Sequence, residues 1–499
     1  MNLEKSNYLP VDALRRKIAG CRLTTSSFTP DFSPGELFSE ITACRIIKEN
    51  ERRQIYYLET PQNGFFLKFS TLVRPKDRWR HFLLPYRKWS EWRNLHRLRN
   101  AGIAAAKPVL RGENKEPRPK MFFILTERVK GLPLNLHTAA DTHKIGEYAA
   151  WLHSRGIYHR DLHPNNIIVT CEGQNRLIDV QQVFFLPWIP RLLRVHHLGK
   201  IYVNLFPMTG GARWAAEFIK GYNYKSNKSV SLAELTKAAA RHQRKKFSSR
   251  SKRCCRNSTE FAVVKKAGLK GYQRRSFQWG LQDLRQALKK GHALKGSHVI
   301  SYQGVCVKRH PRRRFHKDRC LISWKMSRAL QVRGISVPTS LGYFVVDNIS
   351  CFLSELLVDR IHLNTYLSSI SGAQSKRRAL KKLAQWLRKI HDTNIWQRDF
   401  KSSNILCRDG DYFMVDLDGV RIRNLSEQNK IINLAQLNAS VSNALTVKDR
   451  LRFYHYYTAD HHRTRQQRRA VYRKVWDITR TKNTSTFNLD IEKLWIHYP

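Results

Sequence analysis

One pattern of polar loop, strand and terminal carboxylate occurs twice in the chain, and that repetition limits what it can fold into. The first copy, YHRDLHPNNIIVTCEGQNRLIDVQQV, spans residues 158–183 and carries Asp161, Asn166 and Asp179. The second, WQRDFKSSNILCRDGDYFMVDLDGV, spans 396–420 and carries Asp399, Asn404 and Asp416, which lie 238, 238 and 237 residues further on. At 499 residues the chain is too long for one ordinary core. Two copies of one catalytic apparatus are the simplest reading.

The segments before each loop repeat too. Residues 37–60 read as strands broken by a polar turn at 48–53, and after a turn at 61–64 FFLKFS forms a short strand carrying Lys68. A basic loop follows. KWSEWRNLHRLRNAGI (88–103) then has Trp92, Leu95 and Leu98 at helical spacing, Gly102 as its stop, and Glu91 near its start, able to face a strand lysine. KMFFILTERVKGLPL reads as a strand ending at Thr126–Glu127 and a hinge, and a helix over 140–154 leads into the loop. From 258 the order restarts, with strands, a helix near 281–290, and a hairpin placing Lys308 where Lys68 stood. The helix SWKMSRALQVRGI and a strand with its hinge at Glu355 come next. Trp92 to Gly102 and Trp324 to Gly334 are both ten residues, and that alignment puts Ser323 in the place of Glu91. The partner of Lys308 must then come from elsewhere, with Asp318 the candidate.

This order of strand Lys, helix Glu, hinge, HRDxxxxN and strand Asp resembles the protein-kinase-like fold, an α+β architecture. Each copy would have a small β-rich N-lobe and a larger helical C-lobe. The resemblance implies ATP and Mg2+ as cofactors. Lys68 and Lys308 would hold the α/β-phosphates, Lys68 steadied by Glu91, with Glu127 and Glu355 at the nucleotide hinges. Asp161 and Asp399 would accept or orient the proton of the acceptor hydroxyl. Asn166 with Asp179, and Asn404 with Asp416, would hold magnesium. His163, two residues after Asp161, resembles the form found in kinases of small molecules, whereas Lys401 resembles that of protein Ser/Thr kinases.

Two departures matter. No GxGxxG precedes Lys68, so the hairpin at 41–60 must cover the phosphates. Asp179 is followed by Val-Gln rather than Phe-Gly, against a phosphorylation-switched activation segment. With its Lys–Glu pair complete, the first copy is the expected main active site.

Over 35–225 and 257–470 the chain resembles, more narrowly, the lipopolysaccharide-core kinases, the heptose and 3-deoxy-D-manno-octulosonic acid (Kdo) kinases of Gram-negative bacteria. FFLKFS, EWRNLHRLRNAGI, YHRDLHPNNIIV and LIDVQQV carry this in the first half. VCVKRH, SWKMSRALQVRGISVPTS, WQRDFKSSNIL, VDLDGV and LTVKDRLRFYHYY carry it in the second. The resemblance implies phosphoryl transfer to an inner-core sugar hydroxyl at the cytoplasmic face of the inner membrane, with a lipid A core precursor and an anionic membrane surface as partners. Other classes stay open: a kinase of proteins or other small molecules, a pseudokinase scaffold, or an RNA-binding protein on a kinase-like frame. No recognition motif supports the last, so nucleic acid is not the expected partner.

Charge agrees with a polyanionic partner. The chain has 91 Lys+Arg against 38 Asp+Glu, a net +53, which without such a partner only adds self-repulsion. Nucleic acid, an anionic membrane and a phosphorylated substrate all satisfy it. The nine scattered cysteines lack metal spacing and fit free thiols in a reducing compartment. Neither a secretory h-region nor an apolar run of roughly 20 residues is present, giving the expectation of a soluble or peripheral cytoplasmic protein. VFFLPWIPRLLRV (183–195) either packs on its own lobe or dips into headgroups, with Phe184, Phe185 and Trp188 down and Arg191 and Arg194 near phosphates. Ser231 and Glu234 form a capping-box signature before the basic run 241–256, which is either a solvated linker or a contact to lipid or nucleic acid. The expected organisation is a kinase-like domain at 1–226, a basic helical linker at 227–256, and a second kinase-like domain at 257–499. Nothing in the sequence reports an oligomeric state.

Overall fold

In a computed structural model, residues 8–29, 33–51, 53–72, 79, 88–114, 121–135, 138–205, 212–313, 315–441, 445–459 and 464–482 are described. Apart from Trp79, the basic loop after Lys68 lies outside them. The chain divides into two compact units between residues 244 and 245. That division falls inside the helix Leu232–Ser251, which the capping box opens: Glu234 N–H donates to Ser231 Oγ at 3.2 Å, and Ser231 N–H to Glu234 Oε2 at 2.9 Å.

The first unit begins with a six-stranded antiparallel sheet. Its spatial order is Cys21–Thr25, Pro108–Asn114, Met121–Glu127, Gly64–Thr71, Arg53–Glu59 and Ala43–Asn50. Strand alternation sorts its faces. Phe65, Leu67 and Phe69 are buried with Tyr56, Leu58, Phe123 and Leu125 against Leu14 and Ile18 of the helix Val11–Ala19. Lys68 therefore projects from the opposite face. Residues 34–40, partly read as strand, are a short helix. Ser33 accepts from Glu36 N–H and Pro34 supplies a pre-set first turn, and these local signals override the apolar run.

In the helical part, Leu152, Leu162, Leu198, Phe218 and Tyr222 are buried in one core. Two small ladders hold the catalytic loop there. Ile157–His159 pairs with Val183–Phe185, and Ile167–Val169 pairs with Asn175–Leu177 and Leu132–Pro133. Residues 160–166 are thus anchored at both ends.

The second unit repeats the plan with a seven-stranded sheet. Its order is Phe261–Lys266, Leu269–Arg274, Ser340–Val346, Ile349–Glu355, Val305–Pro311, Val299–Tyr302 and His292–Lys295. Ladders of Ile395–Gln397 with Val420–Ile422, and of Ile405–Arg408 with Asp411–Met414 and Ile361–His362, flank its loop. The helix Arg319–Val332 ends before Gly334, whose φ of +69° matches the +70° of Gly102. Both are left-handed stops that favour glycine. Five of the nine cysteines are buried as small apolar side chains.

Candidate active site

In the first unit, Lys68 Nζ bonds to Glu91 Oε1 of the helix Ser90–Asn100, and the Glu91 side chain is 8% exposed. Three residues along, the buried Asn94 donates to the carbonyls of Val180 (2.8 Å) and Val183 (2.9 Å), tying that helix to the segment after Asp179. Asp179 has φ +51°, a left-handed position that starts a 3₁₀ turn. Its Oδ1 meets Arg53 Nη2 at 3.4 Å. Burial pushes the Asp179 carboxyl up, but the charges of Lys68 and Arg53 and the Arg53 hydrogen bond outweigh it, leaving the group below its ordinary value.

Asn166 is buried; its Nδ2 donates to Asp161 O at 3.0 Å, and its own carbonyl accepts from Ile178 N–H at 3.0 Å. One side-chain and one backbone hydrogen bond thus connect Asp161, Asn166 and the segment that delivers Asp179. The Asp161 side chain is half exposed, with Lys200 Nζ at 3.9 Å from its Oδ1. His163 gives its carbonyl to Asn166 N–H at 2.9 Å. Behind the loop, His197 Nε2 meets the carbonyl of His159 at 2.8 Å, His153 Nε2 meets His197 Nδ1 at 2.8 Å, and Tyr222 Oη meets His153 Nδ1 at 3.0 Å. A carbonyl only accepts, so with both rings neutral the donors run from Tyr222 through His153 and His197 to His159 O.

The second unit reaches the same end differently. Lys308 Nζ bonds to Asp416 Oδ1 and donates to Asp418 Oδ1 at 2.8 Å, and Arg319 Nε bonds to Asp418 Oδ2. Burial raises the Asp418 carboxyl, but hydrogen bonding with Asp416 and the Lys308 and Arg319 contacts reverse this and hold it well below the usual range. Asp318 does not fill the vacancy left by Ser323. It caps its own helix, accepting from Leu321 N–H at 2.9 Å and from Tyr343 Oη at 2.7 Å. An N-cap Asp is committed to the free N–H groups of the helix end. Asp416 is left-handed, with φ +59°. Asn404 Nδ2 donates to Asp399 O at 3.1 Å, and Lys401 Nζ lies 2.7 Å from Asp399 Oδ2.

A cavity of about 650 Å³ in this unit is lined by Lys308, Glu355, Asn404 and Asp416, together with Lys295, His298 and Arg319. The size suits a nucleotide. Glu355 keeps its own carboxylate on Thr339 N–H at 2.9 Å. Glu127, its counterpart, lines a separate cavity of about 500 Å³ with Tyr57, Arg128, Glu172 and Arg176. A cleft that gathers the expected nucleotide and metal residues is thus present in the unit that lacks the helix Glu.

The metal residues can be tested on one atom. Asn404 Oδ1 is buried and has no hydrogen-bond partner. An orphaned acceptor beside Asp416 fits a hard cation, and two protein ligands leave the other positions to phosphate and water oxygens, as magnesium prefers.

Residues 45–183 and 287–457 match the lipopolysaccharide kinase (Kdo/WaaP) family, more than half of the chain in two segments. The chain belongs to that family. It is an ATP-dependent kinase with the protein-kinase-like fold in tandem. No curated protein matches it. Among solved structures it is similar to spectinomycin phosphotransferase APH(9)-Ia in complex with ADP and spectinomycin, at 12% identity over 41% of this chain and 80% of that one, with a TM-score of 0.28. It is also similar to monomeric WbdD, at 14% identity over 46% and 66%, with a TM-score of 0.26. At these values neither adds to the assignment.

Two features of this kinase escaped the sequence reading. Asp418 was visible in the Asp-x-Asp spacing, whereas Lys200, far along the chain from Asp161, left no signal. Arg194 is buried and donates to Ile189 O at 2.9 Å, and Arg191 forks onto Glu234 at 2.9 and 3.1 Å. Arg194 is thus committed within the unit, whereas Arg191 keeps 62% of its side chain exposed beside Glu234. Phe184 and Trp188 are exposed, while Phe185 lies under Arg97 at 4.0 Å.

Proposed function

We propose that this kinase transfers the γ-phosphoryl group of ATP, with Mg2+, to a sugar hydroxyl of the lipopolysaccharide inner core, on heptose or Kdo, at the cytoplasmic face of the inner membrane. The observation that carries the reading is the convergence, within each unit, of a strand lysine paired to carboxylate, a loop Asp–Asn pair, and a left-handed Asp. Family membership directs the choice of acceptor.

Lys68 and Lys308 supply fixed positive charge for the nucleotide phosphates. Asn166 with Asp179, and Asn404 with Asp416, are the residues that would hold magnesium, which when bound neutralises charge developing on the transferred group. Asp161 and Asp399 keep their side chains open to an acceptor hydroxyl, each attended by one lysine, and would orient it or accept its proton. The excess of basic residues supports an acceptor embedded in an anionic surface, at about 1 kcal/mol per Lys or Arg near it. Among the described residues no helix is long and apolar enough to cross a membrane, which leaves surface attachment as the proposed mode.

The test is transfer of radiolabel from ATP to purified deep-rough lipopolysaccharide by wild type, Asp161→Ala and Asp399→Ala. Label on the glycolipid, reduced in one or both variants, is the expected result. Label on added protein substrates alone would replace the acceptor. Transfer unchanged in both variants would remove the two Asp residues from the chemistry. RNA binding with nanomolar affinity at physiological salt, without binding to lipopolysaccharide vesicles, would overturn the choice of partner.

A further inference from the structure

The first unit has no glycine-rich loop before Lys68; the hairpin between Ala43–Asn50 and Arg53–Glu59 stands in that place, and residues 49–53 read ENERR. Without glycine, backbone cannot approach a phosphate closely there, so a side chain must meet it. The register identifies which one. Ile55 is opposite Lys68, and Arg53 is opposite Ser70. Opposed residues share a face, and so do residues two apart. Arg53 and Lys68 therefore emerge from the same face of the sheet, the face turned to Glu91 and Asp179.

Arg53 reaches Asp179 Oδ1 at 3.4 Å, and both side chains remain partly open, 30% and 38% exposed. Its backbone is held by Asn50, whose Oδ1 accepts from Arg53 N–H at 2.9 Å. Of the two hairpin acids, Glu49 is engaged by Gln54 Nε2 at 3.0 Å, and Glu51 is exposed at the turn. In the second unit the corresponding hairpin puts Lys295 and His298 into the cavity beside Gly296, so there a glycine as well as side chains lines the covering position.

We propose that Arg53 is the phosphate-covering residue of the first unit, exchanging Asp179 for the β- and γ-phosphates when nucleotide enters. The inference rests on the reading that this unit binds ATP. A long, open ion pair to a single carboxylate is readily exchanged, whereas guanidinium and phosphate form forked, charge-assisted bonds. The exchange has a second consequence. While Arg53 sits on Asp179 it competes with a cation for that carboxylate, and on leaving it frees the ligand as nucleotide arrives.

The two consequences have opposite signs, which separates this role from a structural one. Titrations use the full chain in a Lys308→Ala/Asp416→Ala background to silence nucleotide and metal binding in the second unit. Arg53→Ala should bind ATP and ADP about 10- to 100-fold more weakly, with AMP within about twofold, and Arg53→Lys should fall between. Without nucleotide, Mn2+ followed by its spin resonance should bind Arg53→Ala several-fold more tightly than the parent. Unchanged ATP affinity, equal weakening of ATP and AMP, or weaker Mn2+ binding would each overturn the proposal. If the Lys308→Ala/Asp416→Ala parent itself binds no ATP, the nucleotide reading of this unit falls, and the role of Arg53 with it.

Discussion

Lys308 donates to Asp418 at 2.8 Å, whereas Lys68 is paired with Glu91, so the same strand lysine takes its carboxylate from a loop in one unit and from a helix in the other. Asp418 lies two residues after Asp416, and its side chain is 6% exposed between Lys308 and Arg319. Pairing from the loop fixes the lysine beside the left-handed Asp without any demand on helix position. The apparent loss of the ion pair at Ser323 is a relocation.

Asp418→Asn should therefore do in the second unit what Glu91→Gln does in the first, weakening nucleotide binding there. It should also lower stability by roughly 3 kcal/mol, the usual order for removing one partner of a buried pair. Ser323 lines the same cavity, so Ser323→Glu in the Asp418→Asn background has room to reach Lys308. Recovery of ATP affinity by the double variant, measured by calorimetry, is the expected result. No recovery would mean that Asp418 serves something other than the lysine.

Each loop Asp is attended by one lysine from a different place. Lys401 is two residues along the loop and 2.7 Å away; Lys200 comes from the helix Arg191–Leu205, at 3.9 Å, and also bonds to Arg160 O. Both are exposed enough that their removal should leave the fold within about 0.5 kcal/mol. Lys401→Met and Lys200→Met should each reduce turnover about 10- to 100-fold at saturating ATP, within the range of general acid–base assistance, with little change in ATP KM. A rise in ATP KM at unchanged kcat would instead place these lysines on the nucleotide.

Much of this site was legible because kinase chemistry lies in short segments with fixed internal spacing. The Asp–Asn offset of five follows from a loop held between two ladders, and the strand lysine from period-two alternation. What escaped depended on packing between distant segments. Asp318 and Asp418 are both acids near the site in sequence, and only the helix N-terminus, which claims Asp318, decides between them. Lys200 approaches Asp161 because a helix crosses behind the loop, and no local spacing records that crossing. Residues 37–40 read as strand from their apolar residues, and the Ser33–Pro34 cap makes them helix instead.

Close helix packing in the first unit depends on glycine. A Cβ at Gly146 would lie 2.1 Å from Phe218 O and 2.7 Å from Tyr222 N, both backbone atoms of the helix Ala212–Lys225. Helix propensity alone would make Gly146→Ala stabilising by about 1 kcal/mol. Neither backbone can retreat without moving Tyr222, which holds His153, so overpacking should win and the variant should be destabilised by roughly 2 kcal/mol. Thermal unfolding decides it, and a raised Tm would show that the helices separate at little cost.

The buried histidines set how each unit responds to acid. Burial pushes His153 down to about 3 and His159 to about 4, and drives His197 well below its ordinary value. In the second unit burial pushes His391 to about 3, while Gln397 and Asn433 stand where His159 and His197 stand in the first: Asn433 Nδ2 donates to Gln397 O at 2.7 Å. His310, also lowered to about 4 by burial, is the more exposed and counts for less. Between pH about 6.5 and these values the unfolded chain binds protons that the folded chain refuses. The stability from these neutral rings is therefore complete above pH about 6.5 and is lost progressively as pH falls from there down to the folded values, at up to about 1.4 kcal/mol per pH unit for each ring. Three such rings against one, plus a weaker contribution, make the first unit the steeper loser between pH 6.5 and 4.5, a window above the range where Asp179 and Asp418 take up protons. Hydrogen exchange read peptide by peptide, after correction for the intrinsic pH dependence, should show residues 139–225 losing protection before 373–458 on acidification. Simultaneous loss in both units, or earlier loss in the second, would mean that the histidine chain behind Asp161 is not what sets the acid limit of the first unit.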